Sequence, residues 1–211
     1  MMFKSLTIPE GNVVKITDSD GIVLWKKPIY TPVTSVYFDG TGMFELPFNI
    51  TGADTIKAKF QMYSTSGNLF GYFESSSSNI NFCLYGSSSS YIRYDGGLTR
   101  NWDIRNSTGV HEIEFSQTGL VDNGTSVATW SPKTFTGGHP TVGGLPNSTT
   151  AKAQWVCYGF EVVGKCKLKP VKRISDSAIG LYDETNDTFY AGTFLHETAP
   201  LAMVGSPMEV E

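Results

Sequence analysis

Short runs in which apolar and polar residues alternate, bounded by Gly, Asn, Asp and Ser, recur along this chain. No window of about 12 residues carries a sustained i, i+3, i+4 apolar stripe, so strands rather than helices are expected. In KAKFQMYS, Ala58, Phe60 and Met62 fall on one face and Lys57, Lys59 and Gln61 on the other. HEIEF alternates likewise, with Ile113 and Phe115 inward and Glu112 and Glu114 outward. WVCYGFEVVG is almost continuously apolar, the pattern of a strand covered on both faces and therefore central. Further strands are expected in VYFDG, MFELPF, NLFGYFES, INFCLYG, YIRYDG, GTSVATWS and KCKLKPV, and in a last pair around IGLYD and TFYAG. A strand roughly every 10 to 15 residues is the rhythm of an all-β sandwich or jelly roll.

The first residues form a unit of their own. NVVKIT and IVLWKK flank Asp18-Ser19-Asp20-Gly21, which reads as a hairpin whose Gly tolerates positive φ. Pro28 and Pro32 then favour an extended connector. The expected organisation is a hairpin arm over residues 1–30, a β domain over 31–198 and a tail over 199–211. Two tetraserine tracts, Ser75 to Ser78 and Ser87 to Ser90, read as loops.

Composition narrows the function classes. Lys+Arg 16 against Asp+Glu 20 gives a net charge of −4 in 211 residues. No counterion-releasing basic surface is available, which argues against nucleic acid as a partner. Polarity comes from 21 Ser and 22 Thr rather than from charge. Cys83, Cys157 and Cys166 are odd in number and lack CxxC spacing, so buried free thiols are expected, with a Cys157–Cys166 bridge open if the two oppose each other across a hairpin. No apolar run suits a signal peptide or reaches the ~20 residues of a membrane span, so synthesis in the cytoplasm without membrane insertion is expected.

Several segments resemble a known family. Tyr37-Phe38-Asp39-Gly40-Thr41-Gly42 with MFELPF resembles the opening strands of concanavalin A-like (laminin-G-like) lectin/glucanase domains. GVHEIEFSQTGLVDNGTSV and TVGGL are similar to later strands of those domains. Gly159-Phe160-Glu161-Val162, Lys169-Pro170-Val171-Lys172-Arg173, Ile179-Gly180-Leu181-Tyr182-Asp183 and Phe189-Tyr190 resemble the ending of such domains in phage and prophage virion proteins. The N-terminal hairpin looks like the leader of phage tail-associated proteins. The resemblance implies a two-sheet antiparallel jelly roll, a place in the virion as a tail or decoration protein, and a non-enzymatic role in binding bacterial surface glycan. It also implies many copies per particle, attached to other virion proteins through the arm; an assembly subunit that binds no sugar is the alternative.

A retaining glycosidase needs two carboxyls ~5 Å apart. Glu112 and Glu114 are the nearest match, but Gln117 stands where the third acid of the family's E-x-D-x-x-E pattern belongs, so two solvated charges are the expectation. His111, His139 and His196 accompany no Gly-x-Ser-x-Gly elbow. Asn101, Asp103 and Asn106 could offer oxygens to calcium, yet no Asp-rich loop is complete, and no cofactor is expected. Sugar recognition needs exposed aromatic faces beside Asp, Asn or Arg. Tyr91, Arg93 and Asp95 share one strand face, and Asn101, Trp102 and Asp103 end the loop that follows, so these six are the candidate glycan site. Trp25 and Trp130 read as packing or interface residues, and the Gly180 to Tyr190 motif as scaffold.

Overall fold

One long strand organises the molecule, and its neighbours are set by a change of partner halfway along it. The structure is a computed structural model that describes residues 15–17, 23–26, 30–63, 67–73, 80–86, 91–94, 98–101, 109–134, 137–145 and 152–197. No helix occurs among the described residues. Every pairing between strands is antiparallel, and two sheets enclose a single apolar layer as a sandwich.

The central strand, β15 (Gln154–Val162), pairs along one edge with β6 (Ile56–Met62). Beyond β6 follow β11 (Val110–Ser116), β12 (Gly119–Asp122) and β13 (Thr125–Thr129). The β12–β13 turn holds Asn123 at φ 48 and Gly124 at φ 77, as an Asn-Gly hairpin requires. On its other edge β15 pairs first with β4 (Val36–Asp39), through Gln154–Cys157, and then with β16 (Cys166–Arg173), through Phe160–Val162. β16 continues to β17 (Ile179–Asp183) and β18 (Thr188–Ala191), while β3 (Tyr30–Pro32) joins its far end and β19 (Leu195–His196) joins β4. The second sheet runs in the order β10 (Leu98–Asn101), β9 (Tyr91–Tyr94), β8 (Ile80–Gly86), β7 (Gly67–Phe73), β14 (Thr141–Val142) and β5 (Phe44–Glu45).

The expected alternations are present. Ile56, Ala58, Phe60 and Met62 are buried in β6, and Lys57 and Lys59 exposed; Gln61 departs from the pattern and is buried. Ile113 and Phe115 are buried between exposed Glu112 and Glu114. Phe70 of the smaller sheet meets Phe160 of β15 at 4.7 Å between ring centroids, and Trp155 stacks on Phe38 at 4.5 Å. Trp130 packs on Phe115 and donates Nε1–H to the Ser116 carbonyl, a packing residue as expected. Cys157 and Cys166 are free and buried, and burial pushes both thiols up to about 12.

The extended segment expected around Pro28 and Pro32 includes edge strand β3, which pairs with β16, and Pro32 is tolerated because an edge strand need not donate from every residue. One expectation is corrected. Leu98–Asn101 is not a loop but β10, paired in register with β9 after Asp95-Gly96-Gly97, a turn sequence that suits a hairpin. The expected arm forms the two-stranded sheet of β1 (Lys15–Thr17) and β2 (Val23–Lys26), with Ile16 opposite Trp25.

The β17–β18 hairpin shows why Asp183 sits in its motif. Its fully buried carboxylate accepts from the backbone N–H groups of Lys167 (3.0 Å), Thr185 (2.9 Å) and Asn186 (3.3 Å), and from Asn186 Nδ2 (2.7 Å). Asp183→Asn turns one acceptor into a donor facing donors, and should lower stability by about 1–3 kcal/mol in urea unfolding. Alkylation at about pH 8 should spare Cys157 and Cys166 in the folded protein and modify both after unfolding, read by peptide mass spectrometry.

Candidate functional site: a groove on the outer face of the large sheet

A strand has a period of two, yet the residues that β15 turns into the core are Trp155, Cys157, Phe160 and Val162, with a step of three in the middle. One extra residue absorbs the difference. The register against β6 passes from Cys157↔Phe60 to Gly159↔Lys59, leaving Tyr158 as a bulge. The same two residues lie where the opposite edge passes from β4 to β16, so the ladder forks at Tyr158–Gly159.

Over this fork the outer face opens into a groove of about 580 Å³. Gly159 forms its floor: a Cβ built there meets nothing nearer than the Leu168 carbonyl at 3.9 Å. Tyr158 forms a wall and donates its hydroxyl to Gln61 Oε1 at 3.2 Å; burial and the neighbouring Tyr63 push its phenol up, keeping it a neutral donor. Beyond Tyr158 this face is closed, for Tyr37, Gln61 and Val156 are all buried there.

Half of the remaining lining residues are charged. Lys57 faces Glu114 at 3.3 Å and Lys59 faces Glu112 at 3.5 Å, each across one strand spacing. Glu184 holds Lys169 at 2.5 Å and Lys167 at 3.9 Å. Side chains half open to solvent make such pairs worth at most about 1 kcal/mol, so they can exchange partners with a ligand.

Beside the groove, Lys169 is directly opposite Tyr182, which opens an aromatic cluster. Tyr30 lies 4.6 Å from Tyr182 and 5.1 Å from Phe189, and the Arg173 guanidinium covers Phe189 at 4.7 Å. Gly180 makes room for this, since a Cβ there would come within 2.6 Å of the Phe189 ring. The Tyr182 hydroxyl donates to Asp187 at 2.6 Å, and that bond raises the phenol to about 12.

The sequence-predicted site is only partly placed. Backbone register sets Tyr91 opposite Asn101 and Arg93 opposite Thr99, at the β9–β10 edge of the smaller sheet. Asp95, Trp102 and Asp103 lie outside the described residues, as do the side chains of Tyr91, Arg93 and Asn101. Glu112 and Glu114 are exposed on the outer face, as expected, and each has a lysine as its cross-strand neighbour. His139 is an exposed loop residue 3.0 Å from Glu45, and His196 contacts Asp39 at 3.2 Å. His111 is buried and meets Asp122 at 2.7 Å. Among the described residues no group of three or more His, Cys, Asp or Glu could hold a metal, and the Asn101–Asn106 loop considered for calcium is outside them or without described side chains.

Compared with known proteins, the chain matches no family model and no curated relative.

Two glycines separate the groove from the scaffold. Gly159→Ala should leave the melting temperature nearly unchanged. Gly143→Ala, at φ +94 with the Phe38 ring 2.8 Å from the added Cβ, should cost at least about 1 kcal/mol.

Proposed function

We propose that this chain is a non-enzymatic, lectin-like module of a bacteriophage virion, a concanavalin A-like jelly roll that holds bacterial surface glycan in the groove over Gly159. The observation that carries the reading is this groove: an open trough with charged and apolar lining beside half-buried aromatic rings, on a sheet face whose floor lacks a side chain. Sugar rings present apolar C–H patches to aromatics and hydroxyls to charged side chains, and Tyr158 lines this groove together with lysines and glutamates. The virion setting rests on the sequence resemblance, and residues 1–30 would attach the module to other particle proteins. A shallow site suffices in that setting, because many copies raise avidity through effective concentration.

Catalysis is not part of the proposal. Glu112 and Glu114 are each engaged with a lysine, and Gln117 stands in the third acid's place, which favours holding a sugar over cleaving it. A specific observation favours the second reading, an assembly subunit. β13 ends the large sheet among the described strands, and Thr125–Thr129 carries no charge while four of its five residues are exposed, an edge suited to pairing with a neighbour.

A glycan array probed with multivalent wild type, Gly159→Trp and Trp102→Ala separates these. The expected result is wild-type binding to a defined set of glycans, lost in Gly159→Trp at an unchanged melting temperature. Loss in Trp102→Ala alone would move the site to the segment 91–103. No retained glycan at all would leave the assembly role in its place.

A further inference from the structure

The charges around the groove follow an alternation with one missing tooth. Across the sheet, one row reads Glu114, Lys57, Glu161 and Lys167, each opposite the next in register. The adjoining row reads Glu112, Lys59 and Gly159. One step further along the β15–β16 register comes Lys169, which also lines the groove. Where the first row has Glu161 between two lysines, the second has a glycine between two lysines. Adjacent strands are about 4.8 Å apart, so Lys59 stands one spacing from the gap, and Lys169, one residue past the last β15–β16 pair, borders it on the other side.

The gap is real space. An added Cβ at Gly159 would have open surroundings, and Tyr158 closes only one end. The acids now serving the flanking lysines stand away from it: Glu112 lies beyond Lys59 on β11, and Glu184 lies just past the end of β17. An anion seated over Gly159 would take charge-assisted bonds from two ammoniums, in exchange for exposed pairs that hold little energy.

We propose that this gap receives an anionic group carried by the glycan, a sugar carboxylate or phosphate, which completes the alternation between Lys59 and Lys169. The inference rests on the glycan-binding reading above and names the class of glycan. It makes acidic polysaccharide the ligand although the chain's net charge is −4.

The test measures retention of the full chain on three immobilised polymers: polygalacturonate, a phosphodiester-linked teichoic acid and neutral dextran. The variants are Gly159→Ala, Gly159→Glu and the double change Lys59→Met with Lys169→Met. At least one acidic polymer should retain the wild type while dextran does not, and raising the salt to about 1 M should release it. Carboxylate-only or phosphate-only retention identifies which anion is used. Affinity should fall about tenfold or more in the double variant and in Gly159→Glu, a loss of about 1.4 kcal/mol, as expected for one charge-assisted contact. Gly159→Glu supplies the missing acid from the chain itself, so its melting temperature should rise above that of Gly159→Ala without any ligand. Failure of both acidic polymers to bind, equal retention of dextran, or indifference to the double variant would overturn the inference. A fall in the Gly159→Glu melting temperature would also overturn it. If the array meanwhile shows neutral glycans lost in Gly159→Trp, the groove reading stands and only the anionic assignment fails.

Discussion

The period of two is the constraint on which this molecule turns. A strand that must bury Trp155 and Cys157 on one side of its midpoint, and Phe160 and Val162 on the other, cannot do so without one residue too many between them. The bulge at Tyr158 supplies it. Without the extra residue, half of β15 would turn its large apolar side chains to water and point Gly159 and Glu161 into the core. The same irregularity lies where the strand exchanges β4 for β16 on one edge, and the groove of the outer face lies over it. Core phase, fork and groove thus have one physical origin.

The surroundings keep that opening from collapsing or closing. On the core side, Phe160 is held against Phe70 of the opposite sheet, so the strand cannot roll to bring a side chain over Gly159. At the far end of the face, Asp183 gathers three backbone donors and one side-chain amide, and so sets the course of β17 and β18. Tyr182 and Phe189 are carried on that hairpin, and Tyr30 of β3 packs against both. The lining itself is held loosely. Four lysines and three glutamates pair across strands in half-exposed positions, which permits rearrangement around a ligand at small cost.

Much of the sandwich was legible in the sequence, because alternation is a local signal: KAKFQMYS and HEIEF declare their inner and outer faces, and WVCYGFEVVG its central place. β3 and β19 were not legible, since two- or three-residue strands exist only through the neighbours they join, and Pro32 points the wrong way. β10 was readable from Asp95-Gly96-Gly97 but was outweighed by the polar character of Leu98–Asn101. The groove was hidden for a different reason. Its lysines and glutamates look like any solvated strand face, and Gly159 disappears inside an apolar run. The one available clue was the 2-3-2 spacing of Trp155, Cys157, Phe160 and Val162 with a glycine in the long step. The aromatic and polar residues of 91–103 drew notice because their side-chain types suit sugar, whereas their placement depends on positions outside the described residues.

The central claim is that the fork at Tyr158–Gly159 is where ligand meets the protein. The most direct measurement is a backbone amide NMR titration of the full chain with oligosaccharides released from bacterial cell wall. The account predicts shifts centred on Lys57–Lys59, Tyr158–Glu161 and Lys167–Lys169, three segments that are distant in sequence and adjacent across the sheet. Shifts confined to Tyr91–Tyr94 and Leu98–Asn101, with the fork undisturbed, would contradict it.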